Sequence, residues 1–283
     1  MANRFQTAIL GLGLMGGSLA YALKGFRGGE RVGYDLDEEA LQSALASGAI
    51  DKRASSPEEA AKEADLVLFC SAPSGIFENM LRCFPHLKPG AVVSEICGVK
   101  SEMLRFAAKH LPKHARYVGL HPMAGKEVGG FSNADGALFK GTGFLLVPPE
   151  PADEGALSML KELSAHVGAG RVVVNDAAAH DLIIGYSSDL MHIAAAALVE
   201  DYPQGLSLAH TAGAFRDCTR VARIDAGLWR ELLLGNAENI TPHLDVLTDR
   251  LAAFSAALKA QDGEFVEGFL SRANENKRKI AEL

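Results

Sequence analysis

The 283-residue sequence predicts an open α/β fold, a doubly wound parallel sheet, followed by an all-α region. Three observations predict it. Short apolar runs alternate with helical patterns up to about residue 175, as strand–helix–strand units do. The runs are apolar throughout, as strands covered by helices on both faces require. Beyond residue 175 the strand signals stop and helical periodicity continues. The expected division is therefore 1–175 for the sheet region and 176–283 for the helical region.

In order, the strand runs are QTAIL (6–10), RVGYD (31–35), DLVLFCS (65–71), AVVSEI (91–96), RYVGLH (116–121), GFLLVP (143–148) and RVVVN (171–175). The helical segments between them carry local signals. Residues 37–46 form a helical run that stops at Gly48, and Ser56-Pro57-Glu58-Glu59 supplies an N-cap, a first-turn proline and a capping-box glutamate for a helix to Ala64. Ala177 to Glu200 is an alanine-rich helix. Farther on, Leu244, Leu247, Leu251, Phe254 and Leu258 recur at intervals of three and four, a seam that calls for a partner within the helical region or across a dimer.

Composition bounds the function. With 48% hydrophobic and 22% charged residues, the chain belongs with globular proteins. The net charge of −7 gives no general attraction to nucleic acid or to an anionic membrane. Residues 1–150 hold 16 basic and 16 acidic side chains, so the acidic excess lies in the second half. Four cysteines without a C-x-x-C pair read as reduced thiols, with no disulfide or zinc framework. The N-terminal stretch shows no leader pattern, and no apolar stretch is expected to approach the ~20 residues that span a bilayer. A cytoplasmic location is expected.

Directly after the first strand run comes Gly11-Leu12-Gly13-Leu14-Met15-Gly16-Gly17, followed by the helix-compatible SLAYALK. Alone, G-x-G-x-x-G is weak, but this one lies between a strand and a helix, and Asp35 closes the next strand. Together they form the Rossmann-type dinucleotide fingerprint. Gly11 permits the tight turn, Gly13 the approach of a pyrophosphate, and Gly16 close helix–sheet packing. Leu14 and Met15 open the helix whose free N–H groups hold phosphates. Asp35 is expected to accept from ribose hydroxyls and to repel a 2′-phosphate, so the cofactor expected is NAD rather than NADP. A purely structural glycine turn is the competing reading.

The run RYVGLH ends at His121, in His121-Pro122-Met123-Ala124-Gly125-Lys126-Glu127. A histidine at the carboxyl end of a parallel strand would sit where open α/β sheets bind ligands, and an imidazole with a pKa of ~6.5 suits removal of a hydroxyl proton during hydride transfer. A structural histidine at a strand end fits position alone equally well. In the acidic half, Arg216, Arg220, Arg223 and Arg230 cluster; the first three share a face if helical, a fork of donors for carboxylates. Surface ion pairs with Asp217, Asp225 and Glu231 would account for some of them but not for Arg220.

GLGLMGGSLAYALK, Asp35, EICGVK (95–100), HPMAGKEVGG, HDLIIGYSSDLMH (180–192), FRDCTRVA (215–222) and LWRELLLGN (228–236), in this order, resemble the prephenate/arogenate dehydrogenase family of tyrosine biosynthesis. The resemblance implies a Rossmann domain, a helical domain that dimerises, and NAD- or NADP-dependent oxidative decarboxylation of prephenate to 4-hydroxyphenylpyruvate, or of arogenate to tyrosine. It implies that His121 deprotonates the ring 4-hydroxyl, with His192 a second catalytic candidate, that Arg220 binds a substrate carboxylate, and that Glu127 and Trp229 border the substrate; the arginine cluster adds Arg216 as a further substrate-binding candidate. No metal is implied. Two positions depart from the family pattern: Gly98 stands where many members have serine, and Asp189 replaces a histidine. Asp189 is expected to point outward as a helix surface charge. A hydroxyacid or imine reductase of the same plan, and a non-enzymatic NAD-binding protein, are the rivals; His121, Arg220 and His192 together argue against the second.

Overall fold

The computed structural model describes residues 4–281; residues 1–3, part of the stretch read for a leader, and 282–283 lie outside the described residues. The chain begins β1 (Gln6–Leu10), α1 (Leu14–Ala22), β2 (Glu30–Tyr34), α2 (Glu38–Ala46), β3 (Lys52–Arg53), α3 (Pro57–Lys62), β4 (Leu66–Phe69), α4 (Pro73–Cys83), β5 (Val92–Glu95), α5 (Ser101–His110) and β6 (Arg116–Tyr117). These six strands pair in parallel in the order β3-β2-β1-β4-β5-β6. The order reverses between β1 and β4, which opens a crevice outside their carboxyl ends.

The apolar runs explain the double cover. Ile9, Leu66, Leu68 and Val92 enter one core, while Ala8, Leu10, Val67, Phe69 and Val93 enter the other. Successive side chains of a strand point to opposite faces, so a strand buried on both must be apolar throughout.

At α3 the Ser56 hydroxyl accepts from the Glu59 N–H at 3.2 Å, a cap of about 1 kcal/mol. The helix ends at Lys62 rather than Ala64, because Ala64 N–H turns tightly onto the Ala61 carbonyl at 3.1 Å.

The run RYVGLH does not form one strand. After β6 the chain leaves the parallel sheet, and β7 (Gly119–Pro122) pairs antiparallel with β8 (Gly143–Val147) in a second, three-stranded sheet. Gly119 makes the crossing possible: a Cβ there would lie 3.1 Å from both Glu95 Oε1 and Lys100 Cδ. His121 therefore sits on an antiparallel pair, not at the end of a parallel strand. After α6 (Glu154–His166), β9 (Arg171–Val174) pairs parallel with β8. Its Val172, Val173 and Val174 are exposed, contrary to the expected cover on both faces.

The rest is helical: α7 (Ala177–Ile184), a π turn (Gly185–Asp189), α8 (Leu190–Glu200), α9 (Gly213–Thr219), a 3-10 turn (Arg220–Ala222), α10 (Ala226–Gly235), α11 (Ala237–Ala260) and α12 (Gly263–Ala281). The continuous run Ala177–Glu200 is long and apolar enough to cross a membrane by length and composition, which the sequence reading did not expect. Within it His180, Asp181 and Asp189 are buried. The strands stop at Val174, but the chain divides into compact units later, one through Ala237 and one from Glu238. Helices α7 to α10 thus belong to the same unit as the sheets. In the second unit Phe254 and Phe265 pack on Phe269, while Leu251 and Leu258 of the expected seam are about 60% exposed.

Candidate functional site

The glycine loop divides into structural and open positions. Gly11 has a φ of +96°, and a Cβ there would lie 2.8 Å from the Cys70 carbonyl carbon. At Gly16 a Cβ would lie 1.8 Å from the Gly11 carbonyl oxygen, so glycine lets α1 close onto the turn. Gly13, the N-cap of α1, differs: its φ of −68° suits any residue, no side chain caps the helix, and nothing lies within 4 Å of an added Cβ. That space faces the uncapped N–H groups of α1 and fits the pyrophosphate of a dinucleotide.

At the end of β2, the Asp35 carboxylate accepts from the Leu12 and Asp37 N–H groups. These bonds orient it and leave lone pairs for ribose hydroxyls. Gly13, Leu14 and Met15 line a cleft of about 720 Å³; Gly11, Gly16 and Asp35 stand outside its lining.

The other side of this cleft carries His121, Glu127, Asp189, His192, Arg220 and Trp229. Arg216 is not among the lining residues. The expected arginine face is interrupted, because α9 ends at Thr219 and Arg220 begins a tighter turn. Arg220 pairs with Glu127, at the cleft, and not with Asp217, Asp225 or Glu231, as expected from sequence. Asp225 caps α10 at Leu228 N–H (2.9 Å), and Glu231 accepts from Ser74 at the start of α4. The guanidinium beside it lowers the Glu127 pKa. His192 donates from Nδ1 to the Ser188 carbonyl at 2.9 Å, across one helical turn, and stacks on Trp229 at 3.7 Å between ring centroids. Burial lowers its pKa.

His121 is half-buried on β7, and Gly98 lies beside it with no side chain. Burial, reinforced by the Lys100 charge and His180, holds its pKa well below the ordinary histidine value, against the opposing Asp181. It is therefore a neutral base at physiological pH. Lys100 is fixed by a fully buried pair with Glu95, at 2.7 and 2.8 Å, which also accepts from Tyr117 Oη and the Cys97 N–H. Burial pushes the Cys70 and Cys97 thiols up, Cys97 to about 12, so neither is a nucleophile at neutral pH.

One expectation about a polar residue changes. Asp189 does not point outward: it is buried, lines the cleft and accepts from Asn236 Nδ2 at 2.8 Å. Burial raises its pKa to about 6, with the Asn236 bond opposing and the Asp181 charge adding. Sequence reasoning also missed His180 and Asp181. His121 Nδ1 lies 3.0 Å from His180 Nε2, and His180 Nδ1 lies 2.8 Å from Asp181 Oδ1. The available signal was an adjacent His-Asp pair inside an otherwise apolar helix.

Comparison with known proteins gives concordant matches. The family model described as prephenate dehydrogenase, nucleotide-binding domain, matches residues 19–174, and that described as prephenate dehydrogenase, dimerization domain, matches residues 176–271. The chain is 32% identical over 274 residues to the prephenate dehydrogenase of Bacillus subtilis, covering 93% of this chain and 73% of that protein. It is 30% identical to the cyclohexadienyl dehydrogenase of Zymomonas mobilis, covering 92% and 90%. The crystal structure of Aquifex aeolicus prephenate dehydrogenase with hydroxyphenyl propionate and NAD+ superposes with a TM-score of 0.86 at 27% identity, covering 98% of this chain and 99% of that one.

Proposed function

This chain belongs to the prephenate dehydrogenase family, and we propose on that footing how its residues carry out the reaction. It is an NAD-dependent oxidoreductase that converts prephenate to 4-hydroxyphenylpyruvate, CO2 and NADH. One observation carries the reading: a neutral histidine and an arginine line the same cleft as the open dinucleotide cradle.

Gly13 and the first N–H groups of α1 would hold the pyrophosphate of NAD and Asp35 would accept from its ribose hydroxyls, and the cofactor would supply the acceptor for the hydride of the ring carbinol carbon. His121 Nε2 takes the substrate hydroxyl proton as the carbinol carbon becomes a carbonyl. Loss of the ring carboxylate as CO2 sends its bonding electrons into the ring, which becomes aromatic, and the phenolate oxygen so formed takes back the proton held by His121. The downhill chemistry leaves the protein chiefly to orient and deprotonate. Arg220 leaves Glu127 to bind a substrate carboxylate, and Trp229, backed by His192, forms an aromatic wall.

Asp189 supports a second substrate reading. A carboxylate in the cleft can pair with the ammonium group of arogenate, which prephenate lacks. NADH formation measured with purified prephenate, arogenate and a panel of hydroxyacids tests both. Turnover of hydroxyacids alone would overturn the assignment.

A homodimer formed through the helical region is supported by the dimerization-domain match and by the exposed Leu251 and Leu258. A monomer by light scattering would refute it. A cytoplasmic location rests on the four free cysteines.

A further inference from the structure

The base of this reaction must present an unprotonated Nε2 to the substrate hydroxyl, and a free imidazole exchanges readily between tautomers. On the cleft side nothing from position 98 selects the tautomer: a Cβ built at Gly98 would lie 3.9 Å from His121 Cε1 and 4.0 Å from Nε2, and glycine carries no hydroxyl. The selection comes from the opposite edge of the ring. There His121 Nδ1 meets His180 Nε2 at 3.0 Å, and His180 Nδ1 meets Asp181 Oδ1 at 2.8 Å.

We infer that His180 and Asp181 are positioning residues that fix His121 in its Nδ1–H tautomer and so aim its basic Nε2 at the substrate. Polarity runs one way along the chain of bonds. The Asp181 carboxylate only accepts when ionised, so His180 donates to it from Nδ1. With a single ring proton, held on Nδ1, His180 offers a lone pair at Nε2, and His121 donates to it from Nδ1.

Asp181 is itself held ionised. Burial opposes its charge, but hydrogen bonds from His180, Ser101 and Lys100 outweigh that and lower its pKa. The Lys100 and Ser101 N–H groups reach its two oxygens at 2.8 Å each, which ties α7 to the start of α5. When His121 gains the substrate proton, the imidazolium keeps its Nδ1–H donated to His180, with the Asp181 charge one ring farther. No proton need leave His121 for this.

The inference rests on His121 being the base proposed above. Nitrogen-15 NMR of the wild-type imidazoles tests it without turnover. The expected spectrum shows His121, assigned by its loss in His121→Asn, with protonated Nδ1 and bare Nε2; a protonated Nε2 would overturn the inference. This readout is independent of substrate identity, so failure of the prephenate assignment in the turnover assay is distinguishable from failure here.

Variants give the second arm. Asp181→Asn removes the carboxylate charge and leaves one oxygen for three donors, because Oδ1 takes both the Lys100 N–H and His180 while Oδ2 takes the Ser101 N–H. The expected result is a kcat lower by ~10²–10⁴ with KM and NAD affinity within about threefold. His180→Gln, whose amide oxygen accepts from His121 Nδ1, is expected to retain at least tenfold more activity than His180→Phe. Equal loss in the two folded proteins, or a kcat for Asp181→Asn within threefold of wild type, would refute the positioning role.

Discussion

Two alanine substitutions three residues apart in the glycine loop are expected to act in opposite ways. At Gly16 the added methyl would lie 1.8 Å from the Gly11 carbonyl oxygen and 2.8 Å from Cys70 Cβ. Neither neighbour can swing away, because one is backbone and the other is fixed at the end of β4. Overpacking of this kind costs about 3 kcal/mol or more, so Gly16→Ala should melt markedly lower even without cofactor. At Gly13 the methyl meets nothing within 4 Å, and the φ of −68° is open to alanine. Restricting the unfolded chain should then stabilise the apo protein by ~0.4–1 kcal/mol. The same methyl occupies the space the pyrophosphate needs. Loss of one charged hydrogen bond, ~1.5–3 kcal/mol, would raise the NAD Kd about 10–150-fold. Calorimetric titration of NAD and thermal melting of the apo proteins separate the two effects. Wild-type NAD affinity in Gly13→Ala would refute the placement of the phosphate cradle.

His121→Asn should lower kcat by ~10²–10⁴ with little change in substrate affinity, and near-wild-type turnover would remove it as the base. Because the folded pKa of His121 lies below its ordinary value, activity should rise with pH and level off below about pH 6.5. Asp189, raised to about 6, titrates nearby, so the acid limb of kcat/KM should persist in Asp189→Asn; its disappearance would assign the limb to Asp189 instead. For stability the depressed His121 pKa has a definite sign: the unfolded chain binds the proton first, so its contribution is present above about pH 6.5 and lost as pH falls toward the folded value, which denaturant titrations of wild type and His121→Asn can compare. Arg220→Ala should chiefly raise KM, by the ~1.5–3 kcal/mol of a charged hydrogen bond, and a pure kcat effect would contradict a binding role. Tighter binding of NADP than NAD by the wild-type protein would contradict the role given to Asp35.

The sequence by itself determined the parallel sheet and the cofactor loop. Both are local: a buried strand between helices must be apolar on both faces, and a turn where an added Cβ would lie 2.8 Å from the Cys70 backbone must be glycine. The resemblance also brought His121, His192, Glu127, Arg220 and Trp229 into one list, and the fold brings those five to one cleft.

What was not legible depends on pairings between distant segments. RYVGLH reads as one strand because its apolarity is continuous; only the partner, β8, shows that the chain changes sheets at Gly119. Asp189 reads as a surface charge on a helix, since a helix has an outside, but the π turn and the cleft bury it beside Asn236. Arg216 loses its place in the site because the helix breaks at Thr219, a break that i, i+4 spacing does not reveal. The tautomer of His121 is the clearest case: residue types allow either nitrogen to carry the proton. A histidine 59 positions onward and the aspartate after it, brought within hydrogen-bond reach by tertiary packing, select the one that leaves Nε2 free to act.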